Sequence, residues 1–305
     1  MQDLIDTANF APLRLVMTET SPVAHLLVEL SLDELRLEAT TADGEGFKVQ
    51  CKSGVNWSYE CIGEHETSGT ADGDFITEGL LILIHYLKEL GRDAEIGQLE
   101  MSLRLPKDGD TAQTQWQFMN RLLEYLEGRD PFLLKVGQFV MKYDGIEDIA
   151  SEIGTHLEVI KLIGDEELVF TTCDSIRRPT RLGLDGVFRV APFQKPKKIT
   201  VQGHFWTDVE CAQWAKFRHI TTQCKELTPD TIEDLIDKLI PSEMFKSCVI
   251  TTLTENPDIP AHFDSLPDYK RIESDDGVMK WKVQGVDVQF TFSIQGNKFT
   301  FERFD

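Results

Sequence analysis

The sequence predicts an α/β fold: a leucine-rich-repeat-like irregular solenoid with a parallel sheet, preceded by an N-terminal hairpin and closed by C-terminal antiparallel strands. Two observations carry that expectation. An apolar-x-x-apolar-x-apolar phrase recurs along the chain, and several segments between its copies carry helical periodicity.

The phrase is read at Leu32/Leu35/Leu37, Ile96/Leu99/Met101, Leu157/Ile160/Leu162 and Phe245/Cys248/Ile250, with Phe217/Ile220/Thr222 ending in threonine. Copies that begin with proline stand at Pro131/Leu134/Val136, Pro179/Leu182/Leu184 and Pro196/Ile199/Val201. From Ile160 the middle positions pass to Leu182, Ile199, Ile220 and Cys248, in steps of about 17 to 28 residues that overlap the length of a leucine-rich repeat. A unit of this kind exposes an apolar face when alone, so neighbours must stack to bury it.

Between the phrases, Ile76 to Leu90 places Leu80, Leu83, Ile84, Leu87 and Leu90 on one face and stops at Gly91. Trp116, Met119, Leu122, Leu123 and Leu126 form a second stripe, closed by Gly128. The strongest helix begins at Pro229, capped by Thr228, with Ile232, Leu235, Ile236, Leu239 and Ile240 at helical spacing. Thr207-Asp208-Val209-Glu210 reads as a capping box that opens a short helix through Trp214.

The ends differ from the middle. Phe47 to Cys51 and Val55 to Tyr59 flank Lys52-Ser53-Gly54 and read as a β-hairpin. Met279 to Val283, Val286 to Ile294 and Phe299 to Phe304 alternate as an antiparallel meander with turns at Gly285 and Gly296-Asn297. Gly63 to Asp74 is polar and reads as a mobile loop or linker.

The chain carries 52 acidic against 31 basic residues, a net charge of −21. Such a field repels phosphate backbones, so no nucleic-acid partner is expected; the best basic run, Lys195-Pro196-Lys197-Lys198, has no interleaved aromatics. No apolar stretch approaches the roughly 20 residues of a membrane-spanning helix, and Met1-Gln2-Asp3-Leu4 opens no secretory signal. No membrane partner is expected, and a cytoplasmic or nuclear location is. The six cysteines form no C-x-x-C pair and match no zinc module, so they read as reduced thiols.

Catalytic signatures are missing from the sequence: it has no G-x-S-x-G, H-E-x-x-H, phosphate loop or dinucleotide fingerprint. His204, Cys211 and His219 lie close together, but sequence proximity supplies neither a low thiol pKa nor a positioned base. The carboxylate runs Asp165-Glu166-Glu167 and Asp275-Asp276, and Asp230 with Glu233 and Asp234, read as solvated faces. No catalytic residue, cofactor or metal is therefore expected, and the enzyme class kept as an alternative is a thiol-dependent hydrolase.

Three phrases resemble the F-box-associated domains of nematodes, best the FTH type. They are Leu157-Glu158-Val159-Ile160-Lys161-Leu162, then Gln213-Trp214-Ala215-Lys216, then the capped helix from Thr228 leading to Phe245-Lys246-Ser247-Cys248-Val249-Ile250. The resemblance covers about a third of the chain, from Leu157 to Asn256. It implies a substrate receptor, in which an F-box holds a Skp-type subunit of a cullin ubiquitin ligase and the FTH-type region holds the protein to be delivered. Residues 1–45, through Ala11-Pro12-Leu13-Arg14-Leu15-Val16, resemble a degenerate F-box; residues 46–305 form the FTH-type, leucine-rich-repeat-like protein-binding domain. The alternative within the same class is a partner-binding scaffold with no ubiquitin link.

In a repeat sheet, residues alternating with buried leucines face the concave side. The expected protein-binding column is Lys161, Gly183, Thr200 and Thr221, flanked by Val159, Lys198 and His219.

Overall fold

The computed structural model describes residues 23–31, 33–52, 56–62, 64–70, 75–90, 95–104, 134–143, 160–172, 179–182, 197–207, 212–255, 257–272, 278–283 and 288–304. The chain divides into two compact units, residues 1–144 with 156–164, and residues 145–155 with 165–305. Both are mixed α/β, built mostly of strands with few helices among the described residues.

In the first unit β1 (Val23–Ser31) is central. On one side β2 (Glu34–Thr41), β3 (Gly46–Lys52), β4 (Asn56–Ile62) and β5 (Glu64–Thr70) follow as antiparallel neighbours. The helix α1 (Phe75–Leu90) then crosses over, and β6 (Glu95–Arg104) and β7 (Leu134–Tyr143) add in parallel on the other side of β1. The expected hairpin is β3 with β4, where Cys51 faces Trp57. Gly46, at which the sequence reading divides the chain, opens β3 opposite Thr40 of β2. The segment read as a loop from Gly63 contains β5, a polar strand paired residue by residue with β4. Its composition lacks the apolar alternation that marks a half-buried strand, so its pairing left no trace in the sequence pattern.

The second unit contains β8 (Ile160–Thr172) from Asp165 onward, its first five residues being counted with the first unit, and then β9 (Thr180–Arg181), β10 (Lys198–Val201), β11 (Phe205–Trp206), β12 (His219–Cys224), α2 (Pro229–Leu239) and β13 (Ser247–Thr252). After these come α3 (Ile259–Ser265), β14 (Tyr269–Ile272), β15 (Met279–Val283), β16 (Gln289–Gln295) and β17 (Lys298–Phe304). Strands β8, β10, β12 and β13 run parallel in that order. The antiparallel meander then joins through β17, in the order β13-β17-β16-β15-β14. Thr228 caps α2 as its sequence indicates, its Oγ1 accepting from the Thr231 amide at 3.2 Å. Ile232, Leu235, Ile236 and Leu239 of that helix are buried.

The register explains the recurring phrase. Leu168, Ile199, Ile220, Cys248, Phe301, Phe292 and Trp281 occupy one row across the second unit's sheet, each at most 1% exposed. Arg218 and His219 both donate their backbone N–H to the Lys197 carbonyl, at 2.7 and 3.0 Å, and Lys246 and Ser247 both donate to the Arg218 carbonyl, at 2.8 and 3.1 Å. Two successive amides on one carbonyl take up an extra residue, as a bulge does. In a regular strand, residues three apart face opposite sides. The extra residue brings Phe217 to the side of Ile220 and Phe245 to the side of Cys248, and all four are buried.

The first unit repeats the spacing in three strands, with Val23/Leu26/Val28, Ile96/Leu99/Met101 and Val136/Phe139/Met141 in register. The residue after the first apolar position is Ala24, Gly97 or Gly137. A Cβ on Gly97 would stand 2.7 Å from the Ala24 carbonyl oxygen, and one on Gly137 2.9 Å from that of Gly97.

Several copies read from the sequence are thereby displaced. The phrase of β7 starts at Val136 rather than Pro131. Leu35 and Leu37 lie in the antiparallel β2. The partner of Ile199 in β8 is Leu168, not Ile160. Leu182 follows β9, which among the described residues pairs with β11 in a separate two-stranded ribbon. The helix expected around Trp116 to Leu126 and the F-box-like segment before Val23 lie outside the described residues. Thr207 lies in the described chain, but the rest of its expected capping box does not, and a short 3-10 turn, Ala212–Lys216, follows it.

Candidate protein-interaction face

The sheet of the second unit has two unlike faces. One receives the helices: Phe263 of α3 stands 4.7 Å from Phe292 and 6.3 Å from Trp281, ring centre to ring centre. Ile232 of α2 and Ile259 of α3 line a shallow cavity with Thr252, Ile294 and Phe299. The other face carries the alternate residues of the same strands.

On that second face, Glu167, Lys198, His219, Ser247 and Glu302 stand in one row, and Val169, Thr200, Thr221, Val249 and Thr300 in the next. Four of the expected binding residues are therefore immediate neighbours: Lys198 beside His219, and Thr200 beside Thr221. Thr221 is exposed; Lys198, Thr200 and His219 are half-buried. Lys161 lies in β8 well before Glu167, the residue that pairs with Lys198. Val159 and Gly183 lie outside the described residues.

Two hydrogen bonds order the face. Thr200 donates through Oγ1 to Oε1 of Glu167 at 2.9 Å. The Nδ1 of His219 lies 2.9 Å from the Ser247 Oγ. These contacts run across strands and fix rotamers in advance, which lowers the entropy lost when a partner docks. A serine beside an imidazole also begins a nucleophile–base pair, yet this one lies on a sheet surface, away from the cavity. The lining of that cavity includes Lys298 as its single titratable side chain.

The described thiols of this unit, Cys224 and Cys248, are buried. Burial pushes the Cys224 thiol up to about 12; the neighbouring Glu226 carboxylate adds to the rise, and a hydrogen bond to the Glu226 carbonyl opposes it. Burial raises Cys248 further. A thiol held neutral is a poor nucleophile. Cys211 lies outside the described residues. Among the described residues no group of three histidines, cysteines or carboxylates is placed to hold a metal ion, and no helix is long and apolar enough to cross a membrane.

Sequence reading missed Glu167, Ser247, Val249 and Glu302 on this face. The phrase itself holds the signal for two of them. Ser247 and Val249 occupy the same offsets in Phe245-Lys246-Ser247-Cys248-Val249 that His219 and Thr221 occupy in Phe217-Arg218-His219-Ile220-Thr221. Glu302 arrives from an antiparallel strand, where no offset from the phrase points to it. No family model, curated protein or solved structure matches the chain.

Proposed function

We propose that the chain is a non-catalytic protein-binding receptor that uses the open sheet face of its second unit, around Lys198, Thr200, His219 and Thr221. The observation that carries this reading is the register itself: on one face of four parallel strands Leu168, Ile199, Ile220 and Cys248 are buried, while the other face presents an ordered polar row. The in-register phrase supports a leucine-rich-repeat-like origin for the parallel strands, although their spacing along the chain is irregular. The buried, neutral thiols Cys224 and Cys248 favour binding over a thiol-dependent hydrolase.

Within this reading the chain acts as an F-box-type substrate receptor of the FTH kind, joining a target protein to a Skp-type subunit of a cullin ligase, in the cytoplasm or nucleus. Of the resembling phrases, Phe245-Lys246-Ser247-Cys248-Val249-Ile250 leads into β13, and Ile160-Lys161-Leu162 opens β8. A photo-crosslinking residue at Thr221 tests the binding role: a discrete crosslinked partner is expected, and none from native cells overturns it. Mixing the purified chain with a purified Skp-type subunit tests the ligase link separately. If no complex forms, the chain is a scaffold without that link.

A further inference from the structure

The open face of the second unit continues past Glu302 into the C-terminal meander. The register carries its row from Ser247 and Glu302 to Thr291 of β16, Lys282 of β15 and Lys270 of β14, each the cross-strand partner of the one before. Phe290 and Phe292 on either side of Thr291 are buried, as are Trp281 and Val283 on either side of Lys282. Alternation therefore turns Thr291 and Lys282 to the open side, and Lys270 with its partner.

Two features of this row have no explanation within the fold. Lys270 and Lys282 are directly opposite one another, which sets like charges on Cβ atoms about 5 Å apart and costs stability. Lys270 is exposed and Lys282 half-buried, and no described carboxylate pairs with either. The nearby Lys280 is engaged already, its Nζ 5.7 Å from the centre of the Phe304 ring. Thr291, beside Lys282, is only 9% exposed, and its Oγ1 is buried with no hydrogen-bond partner. The buried hydroxyl of Thr222 meets that of Thr207; the hydroxyl of Thr291 has lost water and recovered nothing, which is costly. Two unpaired ammonium groups and an unanswered hydroxyl in adjacent register positions together make a set of donors that lacks its acceptor.

We propose that Lys270, Lys282 and Thr291 receive a phosphate monoester, the phosphorylated serine or threonine of the bound protein. The inference rests on the protein-binding role argued above and names the chemistry of the partner. A phosphate monoester carries a charge of about −1.5 to −2 and three acceptor oxygens near neutral pH. Two ammonium groups balance that charge, and the three donors match the three oxygens. A carboxylate brings a single charge and two oxygens, and leaves one ammonium unbalanced. Glu302, the partner of Thr291 on β17, places a carboxylate at the other end of the site. It repels a second anion, so one phosphate fits where a run of carboxylates or the continuous backbone of a nucleic acid does not. In the register Thr291 is flanked on this face by Lys282 and Glu302, whose long side chains can shift to admit an oxygen.

The test titrates the full, isotope-labelled chain with a short peptide of glycines and alanines that carries one phosphoserine, followed by amide NMR. The same peptide with serine or glutamate in its place, inorganic phosphate and a single-stranded oligonucleotide serve as comparators. Saturable shifts are expected at Lys270, Lys282 and Thr291, with none from the serine peptide and binding of the glutamate peptide weaker by about tenfold. Inorganic phosphate should displace the phosphopeptide. Lys282→Gln and Thr291→Val should each weaken binding by about fivefold or more, while Lys225→Gln, exposed elsewhere, should change it less than about twofold. Thr291→Val should melt no lower than the unaltered chain, because a methyl group replaces a hydroxyl that has no partner. Circular dichroism melting identifies any variant that fails to fold, and Lys270→Gln, at the exposed end of the pair, then replaces Lys282→Gln. Equal weakening by Lys225→Gln, a lower melting temperature for Thr291→Val with binding intact, or tighter binding of the oligonucleotide overturns the proposal. A partner crosslinked at Thr221 whose capture survives both phosphatase treatment and Lys282→Gln would overturn the phosphate inference and leave the binding role intact; absence of any crosslinked partner would remove the role itself.

Discussion

Gly79 of α1 lies against Leu35 of β2 so closely that a Cβ added to the glycine would stand 2.2 Å from Leu35 Cδ2 and 2.9 Å from its Cγ. The helix is thereby seated on the sheet, and Tyr86, two turns further along, meets Phe47 edge to face with ring centres 4.6 Å apart. Leu35 is fully buried and has little room to retreat. Alanine in place of glycine gains about 1 kcal/mol of helix propensity, whereas overpacking a filled core costs typically about 1–3 kcal/mol. Gly79→Ala is expected to lower the unfolding free energy by up to about 2 kcal/mol in urea denaturation. A stabilised variant would mean that helix and strand do not approach in this way.

Phe263 is the centre of an aromatic cluster. It meets Tyr269 at 4.9 Å and Phe292 at 4.7 Å between ring centres, with Trp281 beyond them at 6.3 Å, and it is fully buried. Asp264 ties the same helix to the meander, accepting from Trp281 Nε1 at 2.9 Å and from Arg271 Nη1 at 2.5 Å. Phe263→Ala should cost about 3–5 kcal/mol, the usual penalty for a large buried aromatic. The measurement is the denaturation midpoint together with the near-ultraviolet circular dichroism of Trp281. A loss under about 1 kcal/mol would show that α3 does not pack on the meander.

How much of this was legible in the sequence depends on where each residue's partner comes from. The helix from Pro229 was readable because its cap, first-turn proline and apolar stripe are all local signals. The phrase at Phe217 and Phe245 was readable as a spacing, but its cause, two amides sharing one carbonyl, involves the adjacent strand. That is why the copy in β8 was placed at Ile160 although Leu168 holds the row, and why Val23/Leu26/Val28 passed unnoticed. The open face followed from alternation once the strands were found.

Burial of the Cys224 thiol predicts a loss of stability in alkali. Its folded pKa is raised from 9.0 to about 12, so the folded state holds the proton more tightly than the unfolded chain does. The associated stability is fully present below about pH 9 and is lost as pH rises from there towards 12, at about 1.4 kcal/mol per pH unit at most. Urea midpoints measured between pH 8 and pH 10.5 should therefore fall, and Cys224→Val should reduce the slope. An unchanged slope in the variant would assign the alkaline loss to other groups. Thiol-specific labelling at pH 8 should also spare Cys224 in the folded protein and modify it after denaturation.

Thr207 and Thr222 form a buried hydroxyl pair, 2.9 Å between their Oγ1 atoms, joining the chain after β11 to the core face of β12. Thr222 occupies the last apolar position of the phrase Phe217/Ile220/Thr222, where the neighbouring strands carry Val201 and Ile250. The hydroxyl is satisfied there by Thr207 at 2.9 Å and, at 3.4 Å, by the Gln223 carbonyl. Removing one partner leaves the other only a long bond of 3.4 Å to the Gln223 carbonyl, at about 1–3 kcal/mol, whereas replacing both with isosteric apolar groups can be close to neutral. Thr222→Val and Thr207→Val are each expected to destabilise the protein by about 1–2 kcal/mol in urea, and the double variant should lose less than the two combined. Additive losses would show that the hydroxyls act independently, and that the polar ending of this phrase answers to something other than its partner across the turn.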